Sequence, residues 1–290
     1  MPALELFNQY RPLLFAIAYR MLGSVMDAED MVQETFLRWE RSAAEIESPK
    51  AYLTTAITRL CIDHLGSARM QRESYIGPWL PEPLATANDP GESAALAESL
   101  SVAFMVLLER LNPTDRAIFL LREAFGYDYG EIAAIVGKSE ANCRQIARRA
   151  RERVHSDRPR FQAPPAQVAR LTEAFLHTCA AGDLDGLIAM LAEDATIYSD
   201  GGGKVTAARK PISGAEKVAR FILGVLEKVK GAVEVRVMSV NGEPSIVMFA
   251  GPAPISVLSM HVADDRIEDL YLVVNPDKLA HLAAPPAGAS

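Results

Sequence analysis

Cysteine is scarce in this chain, and the placing of the few present excludes more than their number. Only Cys61, Cys143 and Cys179 occur in 290 residues. They stand singly, with no CxxC pair and no second Cys/His pair to complete a four-ligand set, so neither a disulfide framework nor a zinc site is expected. A small buried hydrophobe is the expected role for each. Long apolar runs are also missing: none approaches the roughly 20 residues that span a bilayer. The opening MPALELFNQY has neither the basic start nor the apolar stretch of a signal peptide. A reducing, cytoplasmic setting with no membrane partner is the expectation. An excess of positive charge is absent too, with 30 Lys and Arg against 37 Asp and Glu. Any attraction to nucleic acid must therefore come from local basic patches. Basic residues vanish altogether between Glu73 and Glu109, where Pro78, Pro81, Pro83 and Pro90 break regular structure. This reads as a linker over residues 75–93. Trp79 and Leu80, within YIGPWLPEP (Tyr75–Pro83), bring no benefit to a free tether, so the linker is expected to be docked.

What is present is a globular composition, 49% hydrophobic and 23% charged, long enough for two or three domains. Residues 4–72 read as helical. Phe7, Tyr10, Leu14, Ala18 and Met21 form one stripe ending at Gly23-Ser24. Asp27 is expected to cap and begin a second helix carrying Met31, Phe36 and Trp39. Ser48-Pro49 starts a third, with proline in its first turn. Residues 94–158 form a second helical domain. Its most informative stretch is GEIAAIVGKSEANCRQIARRARERV (Gly130–Val154): a short helix, a turn at Gly137, a cap at Ser139, then an arginine-rich helix. On that helix Cys143, Ile146, Ala147, Ala150 and Val154 recur at three- and four-residue steps, a buried stripe. Asn142, Arg144, Gln145, Arg148, Arg149 and Arg151 collect opposite. Arg pairs bidentately with guanine, and Asn or Gln with adenine, when a helix enters the major groove. A solvated basic face is the alternative, but cap, turn and stripe together describe a helix-turn-helix. Beyond Pro164-Pro165 the pattern changes. Helices are expected at about 166–181, 184–192 and 214–229, with strands near 194–199, 232–240, 244–250, 254–263 and 266–274. That order implies an α+β cone over residues 166–283.

DAEDMVQETFLRW (Asp27–Trp39) and SPKAYLTTAITRLCIDHL (Ser48–Leu65), followed by NPTDRAIFLLREAFGYDYGEIAAIVGKSEANCRQIARRARERV (Asn112–Val154), resemble an extracytoplasmic-function RNA polymerase sigma factor. The resemblance implies a sigma-2 domain over residues 1–74 and a sigma-4 domain over 94–158. The first would bind core RNA polymerase and capture a flipped base of the −10 element; the second would read −35 duplex. Thr58-Arg59-Leu60 departs from the Ala-Arg-Asn run common in the −10 helix, and Gln145-Ile146 stands where Ser-Arg is common. AAGDLDGLIAMLAEDATIY (Ala180–Tyr198) resembles the entry to a SnoaL-like (nuclear-transport-factor-2-like) extension. YIGPWLPEP, DGGGK (Asp200–Lys204) and NPDKL (Asn275–Leu279) are shared with the sigma-J-like group. There the extension is understood to replace a separate anti-sigma protein.

On this resemblance the expected core-polymerase face is Asp30, Gln33, Glu34, Phe36 and Leu37, docking to the beta-prime clamp helices, with the second domain on the beta flap. Lys50, Arg59, Arg69 and Arg72 are candidates for −10 phosphates or merely solvate a helix. Ser139, Asn142, Arg144, Gln145, Arg148 and Arg149 are the −35 candidates. The interdomain regulatory candidates are Trp79, Leu80, Pro81, Asp200, Gly201, Gly202, Gly203, Lys204, Asn275, Pro276, Asp277 and Lys278. DGGGK lacks P-loop spacing and is otherwise a plain glycine turn; the Asn-Pro-Asp of NPDKL is otherwise a local stop and cap. A cone pocket with catalytic Asp200, His177 or His261, helped by Tyr198 or Tyr271, is the weaker reading, and no cofactor, metal or catalytic residue is expected. The rivals are a helix-turn-helix regulator with a ligand-sensing C-terminal domain and an enzyme with an accessory DNA-binding half.

Overall fold

The computed structural model describes residues 3–42, 46–73, 75–86, 96, 99–156, 163–229 and 233–282. Linker positions 87–93 and the side chains of Arg69 and Arg72 lie outside the described residues. The chain divides into two units, residues 1–74, 92–100 and 104–158, and residues 75–91, 101–103 and 159–290.

The first unit is helical: α1 (Ala3–Leu22), α2 (Val25–Ser42), α3 (Pro49–Glu73), α4 (Val102–Leu108), α5 (Pro113–Glu123), α6 (Tyr129–Val136) and α7 (Glu140–Ser156). Phe7, Leu14, Ala18 and Met21 of the α1 stripe are buried, with Tyr10 at its margin. Helix α2 starts two residues before the expected Asp27. The Ser24 hydroxyl accepts the Asp27 N–H at 3.1 Å, so serine is the cap and the acid sits in the first turn, where the helix dipole favours it. Helix α3 buries Leu53, Ile57, Leu60, Cys61 and Leu65, but also Thr54 and Thr58.

The helix-turn-helix is built by local rules. Asp128 and Glu131 form a reciprocal capping box at the start of α6. Gly137 ends α6 in the left-handed region at φ 67°, a conformation that glycine adopts without a Cβ penalty. Ser139 Oγ accepts the Asn142 N–H at 3.3 Å, and Cys143, Ile146, Ala147, Ala150 and Val154 are all buried. Two arginines tie the four later helices to the first three. Arg116 of α5, itself buried, donates to the Met21 carbonyl at 2.6 Å and to Glu109 at 2.7 Å. Arg20 donates to Ser99 Oγ at 2.8 Å and to the Leu96 carbonyl at 2.9 Å.

The second unit contains α8 (Pro165–Ala181), α9 (Leu184–Met190), β1 (Leu191–Asp200), β2 (Ile212–Ser213), α10 (Ala215–Lys228), β3 (Val233–Val240), β4 (Glu243–Ala250), β5 (Ala253–Ala263), β6 (Arg266–Val273) and α11 (Pro276–Leu279). One sheet runs β2-β1-β6-β5-β4-β3, parallel only between β1 and β6. Phe175, Leu187, Val218 and Ile222 from the helices pack on Leu191, Ile197, Ile246 and Leu270 of the sheet. The expected α+β architecture is therefore present. Two details differ: α9 stops at Met190 with β1 following at once, and the two-residue β2 was not foreseen. Asn241 and Gly242, at φ 55° and 77°, close the β3–β4 hairpin as a two-residue turn of the type whose twist matches the strands.

Candidate functional site

The second unit brings the three short motifs to one place. Asp200 is the last residue of β1 and is completely buried. Its Oδ2 accepts from the Leu80 N–H and the Lys278 ammonium, both at 2.8 Å. Its Oδ1 accepts from the Tyr75 hydroxyl at 2.6 Å and the Gly202 N–H at 3.1 Å. Lys278, 6% exposed, also donates to the Leu80 carbonyl at 2.5 Å. Its Nζ lies 4.3 Å from the Trp79 ring centroid and 5.1 Å from that of Tyr75, so two aromatic faces supply the negative potential that water would otherwise give. Burial and the bond to Asp200 push the Tyr75 phenol upward from its ordinary pKa, which keeps it a neutral donor. A buried charge pair is tolerable only when its remaining hydrogen-bonding capacity is met; here the linker backbone meets it.

The expected local reading of NPDKL is half the account. Asn275 does cap α11, accepting the Asp277 N–H at 3.2 Å, while its amide donates to the Tyr75 hydroxyl at 3.0 Å. Lys278 is carried inward on the same turn. Lys204 pairs with Asp277, but both side chains are more than half exposed, so this link is worth under about 1 kcal/mol. Pro276 occupies the first turn of α11, where its missing N–H costs nothing.

DGGGK is more than a plain turn, because the linker lies on it. A Cβ at Gly203 would stand 2.8 Å from the Ile76 side chain, and one at Gly202 would meet the Asn275 amide and the Tyr75 hydroxyl. At Gly201 it would meet Ala207 and the Val205 carbonyl. Gly202 and Gly203 also adopt φ 57° and 73°, so both backbone and space require glycine. Gly202→Ala is expected to cost about 1–3 kcal/mol and to loosen the Tyr75–Asn275 contact. Thermal unfolding, with hydrogen exchange across residues 75–84, reads both effects, and unchanged exchange there would refute the steric account.

Several further residues hold the linker, and local sequence does not mark them for that role. Asn241 accepts the Leu84 N–H at 2.9 Å and donates its own N–H to the Leu84 carbonyl at 2.8 Å. Thr86 bonds Ser239 through backbone and side chain. His281 Nε2 lies 2.6 Å from the Pro83 carbonyl oxygen. The Asn-Gly dipeptide signals a hairpin, and nothing in sequence says that its amide also seats a linker. Tyr75 was within the noted motif but without an assigned role. Pro81 and Leu80 are buried in this seat.

In the first unit the −35 candidates Ser139, Asn142, Arg144, Gln145, Arg148 and Arg149 are all exposed. Arg144 pairs with Glu140 and sits over the Tyr129 ring, and Arg148 pairs with Glu152. Arg151 is bound to Glu123 at 2.5 Å. On α2, Asp30, Gln33 and Leu37 are exposed and Glu34 and Phe36 half-buried. Phe36 meets Phe7 edge-on, lining a shallow cleft with Leu4, Val32 and Gln33, whereas Trp39 is core.

Of the −10 candidates, Arg59 and Lys50 have described side chains, and both have partners within the first unit. Arg59 donates to the Ile135 carbonyl at 2.8 Å and the Ala134 carbonyl at 3.1 Å, at the C-terminal end of α6, where a cation is favoured. Lys50 lies over the Tyr127 ring at 5.4 Å, and the Tyr127 hydroxyl meets Thr54 Oγ1 at 3.0 Å.

Asp200 is committed to Lys278, His177 is exposed, and His261 is buried on β5 with Glu268 4.0 Å away. Tyr198 and Tyr271 stack on each other at 5.5 Å. None of the five lines the cavity inside the sheet. Among the described residues no His, Cys, Asp and Glu group is arranged to hold a metal ion, and no helix is long and apolar enough to cross a membrane.

Comparison with known proteins accounts for both units. Residues 6–70 match the Sigma-70 region 2 family and residues 101–154 the Sigma-70, region 4 family. The chain is 38% identical to the ECF RNA polymerase sigma factor SigJ of Mycobacterium tuberculosis, over 94% of this chain and 91% of that one. It is 32% identical to the probable ECF RNA polymerase sigma factor SigI of the same organism, over 98% and 97%. The crystal structure of Mycobacterium tuberculosis SigJ superposes with a TM-score of 0.78 at 36% identity, covering 94% of this chain and 97% of that chain. Agreement over 94% of the chain with a sigma factor disfavours a conventional helix-turn-helix regulator. The two helical modules, the α+β extension and relatives aligned end to end place this chain among the extracytoplasmic-function RNA polymerase sigma factors.

Proposed function

We propose that this sigma factor rests with its −10 helix covered by its own helix-turn-helix, and that the extension regulates it in cis by seating the linker between the two promoter-reading modules. The observation that carries the first part is the Arg59 guanidinium on the Ala134 and Ile135 carbonyls. Promoter reading needs α3 on melted strand while α7 lies in a groove, so the α3–α6 contact has to part. The contact suits a reversible one. It is polar, through Arg59 and the Thr54–Tyr127 bond, and Thr58, one turn along the same α3 face, is buried without a hydrogen-bond partner among the described residues. Such a group costs about 1–3 kcal/mol, which lowers the barrier to separation.

In the open state Lys50 and Arg59, with Arg69 and Arg72, contact promoter phosphates near −10. Asn142, Arg144, Gln145 and Arg148 read −35 base edges, Arg149 meets phosphate, and Ser139 fixes the start of the reading helix. Asp30, Gln33, Glu34, Phe36 and Leu37 dock on the beta-prime clamp helices: apolar anchors ringed by polar groups suit that task. The second module engages the beta flap. The protein works in the cytoplasm, chemistry is left to the polymerase, and the linker seat serves where a separate anti-sigma protein otherwise would.

Arg59→Ala in the full chain is expected to favour the open state by about 1–3 kcal/mol. Distance measurements between spin labels on exposed α2 and α7 positions should show a longer second population, and holoenzyme formation should quicken. An unchanged distance distribution would overturn the covering role.

A further inference from the structure

Inside the second unit lies a cavity of about 150 Å³. Phe175 and Cys179 of α8, Phe221 and Val225 of α10, and Ile197 and Met248 of the sheet are among its walls. The polar side-chain groups in the lining are the Ser256 hydroxyl and the Cys179 thiol, and burial pushes that thiol up to about 12, so it carries no charge. A water molecule needs two to four polar partners to be held; an apolar cavity of this size stays dry and takes an apolar guest of about benzene size.

The walls of this cavity continue directly into the linker seat. Ile197 is three residues before Asp200 on β1, and Leu272 and Val274 lead into Asn275. Strands β1 and β6 pair along this stretch, Ile197 with Leu270 and Asp200 with Val273. The Asp200 carbonyl then accepts the Val274 and Asn275 N–H groups at 2.8 and 3.0 Å. The backbone that forms the cavity wall thus also positions the carboxylate and the α11 turn that grip the linker.

We infer that the cavity is a sensing site for a small uncharged apolar molecule, a single-ring aromatic compound in size and chemistry, and that filling it braces β1 and β6 and holds the linker in its seat. This rests on the linker seat being regulatory, as proposed above. A charged or strongly polar ligand is disfavoured because one hydroxyl and one neutral thiol are too little to replace its hydration.

The test uses the full chain with benzene and toluene as probes. Titration is followed by ligand-observed NMR and by alkylation of Cys179, and linker seating by amide exchange at Leu80 and Leu84. A ligand that binds only the seated state suppresses opening by one plus the ratio of its concentration to Kd, about elevenfold at ten times Kd. The expected result is saturable binding, protection of Cys179 and roughly that slowing at Leu80. Val225→Phe fills the cavity from α10 and should abolish binding; Leu258→Phe, from β5 at the cavity wall, serves if the first variant fails to fold. Absence of saturable binding would overturn the site. Binding without slowed Leu80 exchange would overturn its coupling to the linker. Failure of the seat itself reads differently: Asp200→Asn would leave Leu80 exchange unchanged with no ligand present.

Discussion

Asp200→Asn is expected to destabilise the second unit by about 3–5 kcal/mol and to release the linker. Removing one partner of a buried ion pair leaves the other charge without compensation, and that penalty, not the worth of the pair, sets the magnitude. Here the group left without its counter-charge is the Lys278 ammonium, which retains the Leu80 carbonyl and two ring faces. Asparagine retains the shape but turns one acceptor into a donor, opposite either the Leu80 N–H or the Tyr75 hydroxyl. Lys278→Met alone should cost a similar amount by stranding the carboxylate. The double variant should cost clearly less than the sum, a coupling of the kind contacting residues show. Urea unfolding of the full chain, followed through residues of the sheet, measures all three. Additive effects would show that Asp200 and Lys278 act separately and that the linker is held by other means. Exchange at Leu80 and Leu84 checks the second consequence: the former should speed strongly, and the latter less, because Asn241 holds it independently.

The second large effect is expected at Arg116→Met, at about 3–5 kcal/mol in the first unit. Arg116 is 3% exposed and joins α5 to the end of α1 through the Met21 carbonyl, while also neutralising Glu109. Methionine fills the volume but returns neither bond, so the Glu109 carboxylate and the Met21 carbonyl both lose the Arg116 donor. The consequence differs from that of Arg59→Ala. Loss of Arg59 frees a polar contact and leaves each helical module intact; loss of Arg116 weakens the packing that joins them. Urea midpoints for the first unit should fall in Arg116→Met and barely move in Arg59→Ala, with both variants populating the longer label distance. Equal midpoints would mean that Arg116 is not the fastening between α1 and α5.

Much of this was readable from residue order because the rules concerned are local. A glycine after Val136, a serine two residues on and a three-four apolar repeat describe a turn, a cap and a buried face without any distant partner. The same applies to the strands of the second unit, whose apolar runs gave their positions to within a few residues. The start of α2 was misplaced because Ser24 and Asp27 both satisfy capping rules, and only backbone geometry decides between them. The roles of Tyr75, Asn241 and His281 are not legible in sequence because each serves through a partner far along the chain. Arg59 of α3 was legible as a cation but not as a bound one: it finds its acceptors 75 and 76 residues later.

By itself, then, the order of residues determined two helical modules, a helix-turn-helix with an exposed basic face, a linker too apolar to float free, and an α+β extension. Each follows from periodicity, capping or composition, which act over a few residues. Tertiary structure alone decided that Asp200 and Lys278 meet, that glycines at 202 and 203 make room for the linker, and that Arg59 caps a helix of its own chain. Those are long-range pairings. Their energy depends on burial and on which groups are brought within hydrogen-bonding distance, and neither can be counted along a sequence.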